Sequence, residues 1–114
     1  MLRDAILIAD MVRCAKQAAT AGKGFTPEQL EGDPDRQAMV LWPLTILGEA
    51  AAHVSAAYRS SHPEIPWARI VGLRNTLVHD YTGVDMQAVV EVLHVHVPEL
   101  IRTLEGLGLD LGET

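Results

Sequence analysis

The feature that most constrains the fold of this chain is the recurrence of apolar residues at spacings of three and four, in segments separated by glycine and proline. This spacing places apolar side chains on one side of an α-helix, whereas a half-buried strand would need strict alternation. Aromatic residues make up only 4% of the 114 residues, which favours packed helices over a β-sandwich. The sequence therefore predicts an all-α fold, an antiparallel bundle of four or five helices.

The first helix is predicted from about Leu2 to Thr20, because the apolar pattern ends at a pair of glycines. A short helical turn is expected next, since Thr26 and Gln29 have the spacing of a capping box and enclose a proline. The apolar residues of the first helix that recur at helical spacing, and that we expect to face the core, are Leu2, Ala5, Ile6, Ala9, Val12 and Ala19.

The second long helix is predicted over residues 34–58, and the third after a loop at 60–66. The second is expected to bend at Pro43, because proline lacks the backbone donor that a helix interior needs. The third is expected to continue until Thr82 and Gly83 break it. Both tryptophans, Trp42 and Trp67, are expected to anchor the core or an interface.

The fourth helix is predicted from a cap at Asp85 to about Glu105, with a bend at Pro98. Its apolar face is wide, and such breadth often means that a second subunit covers part of it. The residues expected on that face are Val89, Leu93, Val97, Leu100, Ile101 and Leu104.

The length fits one domain, predicted over residues 1–108, with a short tail at 109–114. The only cysteine, Cys14, cannot form an intrachain disulfide and is expected to be a small core residue. No apolar run approaches the roughly 20 residues of a membrane span, which predicts a soluble cytoplasmic protein. The formal charge of −6 disfavours non-specific nucleic-acid binding, so such binding would need a local basic site or a dimer that concentrates one.

Side chains that can carry out chemistry are concentrated in the octapeptide Arg74–Tyr81, near the expected end of the third helix. An arginine guanidinium can grip two phosphate oxygens at once, and a histidine can give or take a proton near neutral pH. Asn75 and His79 are four residues apart and share a helix face, with Arg74 and Tyr81 beside them. The octapeptide therefore predicts a site that binds phosphate and moves a proton.

Four elements of the sequence together resemble one protein family. The octapeptide has the Arg-x4-His-x-Tyr motif of the HepT-like toxins, which belong to the HEPN superfamily of small helical ribonucleases. Ile46–Ala51 resembles the Gly-Glu-Ala stretch of that family's second long helix, and His62–Trp67 resembles the approach to its active helix. Val97–Leu100 matches its Pro-x-Leu element. The order and spacing of all four are far more specific than the motif alone.

The resemblance implies a HEPN-type helical domain that acts as a homodimer and cleaves RNA as an endoribonuclease, without a metal or another cofactor. It implies that Arg74, His79 and Asn75 are the catalytic residues, with both copies lining one cleft. It also implies a nucleotidyltransferase antitoxin as partner, which attaches AMP to Tyr81 and silences the toxin. Two further acidic residues are accessory candidates, namely Asp80 and Glu49.

Alternative hypotheses remain open from the residues alone. The fold could be a non-catalytic module that binds a nucleotide or a nucleotidyltransferase, with the octapeptide as the recognised patch. The octapeptide could also be purely structural, with Arg74 paired to an acid and His79 bound to last-turn carbonyls. Glu91 and His94 have the Glu-x-x-His spacing of di-iron bundles, but no second such pair exists, so no metal site is predicted.

Overall fold

A computed structural model describes residues 2–107 of the chain, and this range is helical with no strand in it. The all-α prediction is confirmed, whereas the homodimer stays a prediction and the expected tail at 109–114 lies outside the described residues. The helices are α1 (Leu2–Gly22), α2 (Pro27–Glu31), α3 (Pro34–His53), α4 (Ala56–Ser61), α5 (Trp67–His79), α6 (Met86–Glu91) and α7 (Val97–Glu105), with a 3-10 turn at Tyr81–Gly83 and a π-helical turn at Val92–His96 that joins α6 to α7.

Helix α3 is the central element, because α1 packs along one side of it and α5 along another. Helix α7 and the π-helical turn complete the bundle by packing on α1. Trp67 and Cys14 lie in the core, as expected, whereas Trp42 is 67% exposed and its role as an interface anchor stays a prediction. The largest fully buried side chains are those of Ile8, Met11, Leu30, Leu41, Leu44, Ile65, Leu77 and Leu93.

The face of α1 that packs against the core differs from the predicted one. Ile6, which was expected to be buried, is 54% exposed, and Ala5, Ala9, Val12 and Ala19 are only half-buried. The prediction was wrong because the chosen residues extend around to the side of α1 that carries the exposed Arg13, Lys16 and Thr20, whereas the buried side is the opposite one. The buried residues of this helix are Asp4, Ile8, Met11, Cys14, Ala15, Ala18, Ala21 and Gly22.

The second long helix ends five residues earlier than predicted, at His53. Ser55 starts α4 by accepting a hydrogen bond from the backbone N–H of Tyr58, so α4 occupies part of the expected loop. The Asp4 carboxylate accepts two hydrogen bonds from Ser55, from its N–H at 2.9 Å and from its hydroxyl at 2.7 Å. The break is therefore stabilised by a tertiary contact with α1, which the local sequence does not encode.

Replacing Asp4 with alanine is expected to lower the melting temperature and to weaken the pH dependence of stability in acid. The hydrogen bond from the Ser55 backbone, followed by that from its hydroxyl, holds the pKa of Asp4 below its ordinary value of 3.8. A carboxyl group with a lowered folded-state pKa stabilises the protein above its ordinary pKa, and this contribution is lost as the pH falls through the lowered value.

Thermal unfolding followed by circular dichroism between about pH 7 and pH 2 measures this effect. Asp10→Ala on the same helix is the control, because Asp10 makes only an exposed contact with Arg13. If Asp4→Ala melted at the same temperature as the control at neutral pH, the proposed anchor would be wrong.

The bends predicted at Pro43 and Pro98 both stay predictions, but the helical hydrogen bonding differs between the two prolines. The fourth helix changes its hydrogen bonding just before Pro98, where the Val97 N–H donates to the Val92 carbonyl five residues earlier. A π-helical turn of this kind is a recognised distortion of an α-helix, and it accompanies the loss of the proline donor. Helix α3 continues through Pro43, and the bend expected there stays a prediction. No helix among residues 2–107 is both long and apolar enough to cross a membrane.

Candidate active site on helix α5

The start of α5 is fixed by an aromatic cluster. The indole N–H of Trp67 donates to the His62 carbonyl at 3.0 Å, and the Tyr58 ring meets Trp67 edge to face. The His62 ring stacks on Tyr58 with centroids 4.1 Å apart. His62 is half-buried, and both its ring and its carbonyl group contact the aromatic side chains of this cluster. These contacts give the following helix a defined position relative to α4.

Helix α5 crosses α3 very closely at Gly48. A Cβ atom at this position would overlap the Cβ of Arg74, and it would lie 2.9 Å from Arg74 Cγ and 3.0 Å from the Ile70 carbonyl oxygen. Only glycine leaves room for the stem of Arg74 at this crossing. Glycine in a helix interior costs about 1 kcal/mol relative to alanine, so a packing reason is expected for it.

Glu49, next to this glycine, orients the guanidinium of Arg74. Its Oε2 accepts hydrogen bonds from Arg74 Nε at 2.8 Å and from Nη2 at 2.6 Å. The remaining terminal nitrogen, Nη1, donates to Asn75 Oδ1 at 2.6 Å. The Arg74 side chain is 28% exposed, so it is held in one orientation while part of it stays accessible to solvent. One part of the alternative hypothesis of a purely structural octapeptide is therefore correct, because Arg74 does pair with an acid, Glu49.

Asn75 and His79 lie on the same helix and are both exposed, as the spacing predicted. His79 is the last residue of α5, and its imidazole makes no hydrogen bond with the residues that the structure describes. The alternative in which His79 binds last-turn carbonyls is therefore wrong within that range. An exposed imidazole beside an amide and an oriented guanidinium can exchange a proton with a bound ligand.

The third helix ends two residues before the predicted boundary, so Tyr81 is not on it. Asp80 terminates α5 through its N–H, which donates to the Thr76 carbonyl at 2.8 Å, and a 3-10 turn follows. The Asp80 carboxylate lies over Gly83, where its oxygens are 2.5 and 2.6 Å from the place of a Cβ atom. Tyr81 is 48% exposed in this turn. Its position is set by the turn and not by the helix periodicity.

The structure thus brings three of the six predicted site residues into one hydrogen-bonded cluster: Arg74, Asn75 and Glu49. His79 follows one turn further along α5, and Asp80 and Tyr81 belong to the adjoining turn. The role of Gly48 was not predicted from the sequence. A glycine in the middle of a predicted helix was the signal that could have indicated this close crossing.

The histidines and acids around Glu91 and His94 make separate contacts with different partners. Glu91 lies 3.6 Å from His96 Nε2, and the Nε2 of His94 lies 3.4 Å from the Gly22 carbonyl. His53 Nδ1 contacts the backbone carbonyl of Glu49 at 2.8 Å, one helical turn earlier. Within residues 2–107 we find no group of three histidine, cysteine or acidic side chains that could hold a metal ion.

The sequence is similar to a known protein family and to several of its members. Residues 7–107 match the family model described as Ribonuclease HepT-like. A candidate RNase of Caldanaerobacter subterraneus subsp. tengcongensis is 33% identical over 83 residues, which are 73% of this chain and 74% of that protein. A candidate RNase of Methanocaldococcus jannaschii is 35% identical over 58% of this chain and 61% of its own length.

A third relative, from Thermococcus cleftensis, carries the name "Probable ribonuclease HepT". It is 33% identical over 75 residues, which are 66% of this chain and 68% of that protein. No solved structure matches the chain at a significant level.

Proposed function

Because the chain belongs to the HepT-like ribonuclease family, we propose that it is a metal-independent endoribonuclease that acts as a homodimer and serves as the toxin of a toxin–antitoxin pair. The single observation that supports this most is the arrangement on α5. An exposed histidine lies one helical turn after Asn75, and Asn75 accepts a hydrogen bond from an arginine whose guanidinium is already oriented. Two of the relatives are named as ribonucleases, which supports RNA as the substrate proposed for this chain.

The proposed reaction is transesterification within the RNA strand. The 2′-hydroxyl loses its proton to a base, and its oxygen forms a bond to the neighbouring phosphorus. The bond from phosphorus to the 5′-oxygen breaks, an acid protonates that oxygen, and a 2′,3′-cyclic phosphate results. His79 exchanges the protons, Arg74 stabilises the charge on the phosphoryl oxygens, and Asn75 positions the guanidinium.

A dimer explains how one histidine per motif can serve a reaction that needs both an acid and a base. A two-fold axis near the octapeptide would place two copies of His79 on either side of one phosphate. Analytical ultracentrifugation tests this requirement, since the dimer has twice the chain mass of 12.4 kDa. A strictly monomeric protein that still cleaved RNA would contradict the shared cleft.

The direct test of the activity is incubation of the purified protein with a labelled single-stranded RNA in the presence of a chelator. We expect cleavage products that end in a cyclic phosphate. Intact RNA across a panel of sequences would contradict the proposal.

One observation favours a second candidate, a non-catalytic module that binds a nucleotide or a nucleotidyltransferase. Arg74 is already paired with Glu49, and the chain carries a net charge of −6, so its affinity for phosphate is opposed by its own acids. This module would bind the transferase while leaving RNA intact, which the same incubation distinguishes.

We propose that Tyr81 is the residue through which the toxin is silenced. Its hydroxyl would attack the α-phosphorus of ATP held by a nucleotidyltransferase partner, with loss of its proton to a base and departure of pyrophosphate. The product, AMP on Tyr81, adds negative charge and bulk next to His79 and would exclude RNA. The exposure of this side chain supports access by the partner.

Incubation with the cognate nucleotidyltransferase and ATP is therefore expected to add AMP to the wild type and none to Tyr81→Phe. Intact-mass spectrometry measures the addition. The chain has one other tyrosine, Tyr58, whose hydroxyl is buried without a hydrogen-bond partner among the described residues, so Tyr58→Phe is the matched control. A mass gain that survived in Tyr81→Phe would assign the modification to another residue.

A further inference from the structure

A groove between α4 and α5 adjoins the candidate active site. It has a volume of about 580 Å³. Trp67 and Val71 contribute apolar lining, and Arg59 and Ser60 contribute polar groups from α4. Asn75 also lines the groove, and it accepts a hydrogen bond from Arg74. The groove is therefore continuous with the cluster that the proposed reaction uses.

The α5 side of this groove leads directly to His79. Positions 68, 72, 75 and 79 follow at intervals of three and four, which places them along one side of the helix. With a rise of 1.5 Å per residue, Ala68 and His79 are about 16 Å apart along the axis. A strand that passes His79 along α5 would therefore enter the groove.

Arg59 gives the groove an available positive charge. It makes no salt bridge with any residue in the range 2–107, whereas Arg13, Lys16 and Arg74 are each paired with an acid. Its Nε is buried and has no hydrogen-bond partner among the same residues. No contact in that range therefore neutralises the guanidinium of Arg59, and its terminal nitrogens are the atoms that a phosphate could contact.

We propose that the α4–α5 groove is a subsite for an RNA nucleotide that neighbours the cleaved bond. Arg59 contacts its phosphate, and the Trp67–Val71 floor accommodates the flat apolar face of its base. This inference rests on the proposed ribonuclease function. It specifies which residues outside the catalytic cluster bind the RNA strand. A single-stranded nucleic acid suits the groove because it offers a phosphate charge and an apolar base at short intervals.

Gly72 allows the groove to be filled without disturbing the fold. It lines the groove, and a Cβ atom at this position would meet nothing within 4 Å. Gly72→Leu therefore occupies the space that the nucleotide would use, while leucine favours the helix more than glycine does. Gly72→Ala is the size control. Arg59→Ala removes the charge, and Arg102→Ala, an exposed arginine of α7, is the charge control.

The experiment measures kcat/KM on a labelled RNA hexanucleotide and its Kd, the latter in a His79→Ala background that does not cleave. We expect Arg59→Ala and Gly72→Leu each to lower kcat/KM and raise Kd by at least about 10-fold, as the loss of a charged hydrogen bond would. Arg59→Ala should also reduce the salt dependence of log Kd by about 0.7, the value for one phosphate contact on a single strand. Arg102→Ala should behave as the wild type, and Gly72→Ala, which adds only one methyl group to the groove, should lose much less affinity and activity than Gly72→Leu.

The outcomes separate this subsite from the proposed function. If the wild type cleaves but Arg59→Ala and Gly72→Leu match their controls, the subsite is wrong and the ribonuclease proposal stands. If these variants instead weaken binding of the nucleotidyltransferase alone, the groove is a protein-docking surface. If the wild type neither cleaves nor binds RNA, both proposals fail. Binding that depends on Arg59 without any cleavage supports the subsite and contradicts the enzyme.

Discussion

Replacement of His79 by alanine is expected to reduce metal-independent RNA cleavage by about 10²- to 10⁴-fold, the usual contribution of a side chain that transfers protons in the transition state. In a homodimer the substitution removes both imidazoles from the shared cleft, so neither the base nor the acid is left. The rate of product formation from a labelled RNA under single-turnover conditions measures the loss directly.

The fold should tolerate this change, because His79 is exposed at the end of α5 and makes no hydrogen bond with the described residues. We expect an unchanged melting temperature. His94→Ala is the matched control, since His94 is also exposed and its ring makes only a long contact with the Gly22 carbonyl. Equal activities of the two variants would exclude His79 from the chemistry.

Gly48→Ala is expected to destabilise the protein by about 1–3 kcal/mol and to lower the cleavage rate as well. The new methyl group would overlap the Arg74 side chain, so α3 and α5 must move apart or the guanidinium must leave its place on Glu49. In a domain of this size each kcal/mol corresponds to a shift of roughly 4–8 °C in melting temperature. Thermal unfolding and the cleavage assay together measure both effects.

Gly72→Ala on the facing helix is the control for this experiment. Both changes add one methyl group to a helical glycine, but the methyl group at position 72 meets open space. The control should therefore be neutral or stabilising by up to about 1 kcal/mol, because alanine favours a helix over glycine. If Gly48→Ala gained stability as Gly72→Ala does, the close crossing would not constrain the Arg74 side chain in solution.

The sequence predicted which candidate side chains share helix α5 but not the geometry around them. Arg74, Asn75 and His79 lie on one helix as predicted, because a spacing of four residues fixes their relative direction within any α-helix. Tyr81 was placed on the same helix and lies instead in a 3-10 turn, because the backbone breaks at Asp80. Helical spacing predicts the direction of a side chain only within the helix, so it cannot predict the position of a residue that follows the last helical residue.

The amino-acid sequence by itself determined that this chain is helical, where most of its helices begin, and which octapeptide carries its polar groups. Capping residues, glycines and apolar spacing act within a few residues, so the local sequence contains them in full. Only the tertiary structure decided that a contact with Asp4 stabilises the break after α3, and that Glu49 orients Arg74. The first contact joins residues 51 positions apart and the second joins residues 25 positions apart, so their energies are set by how the helices pack and not by any local preference.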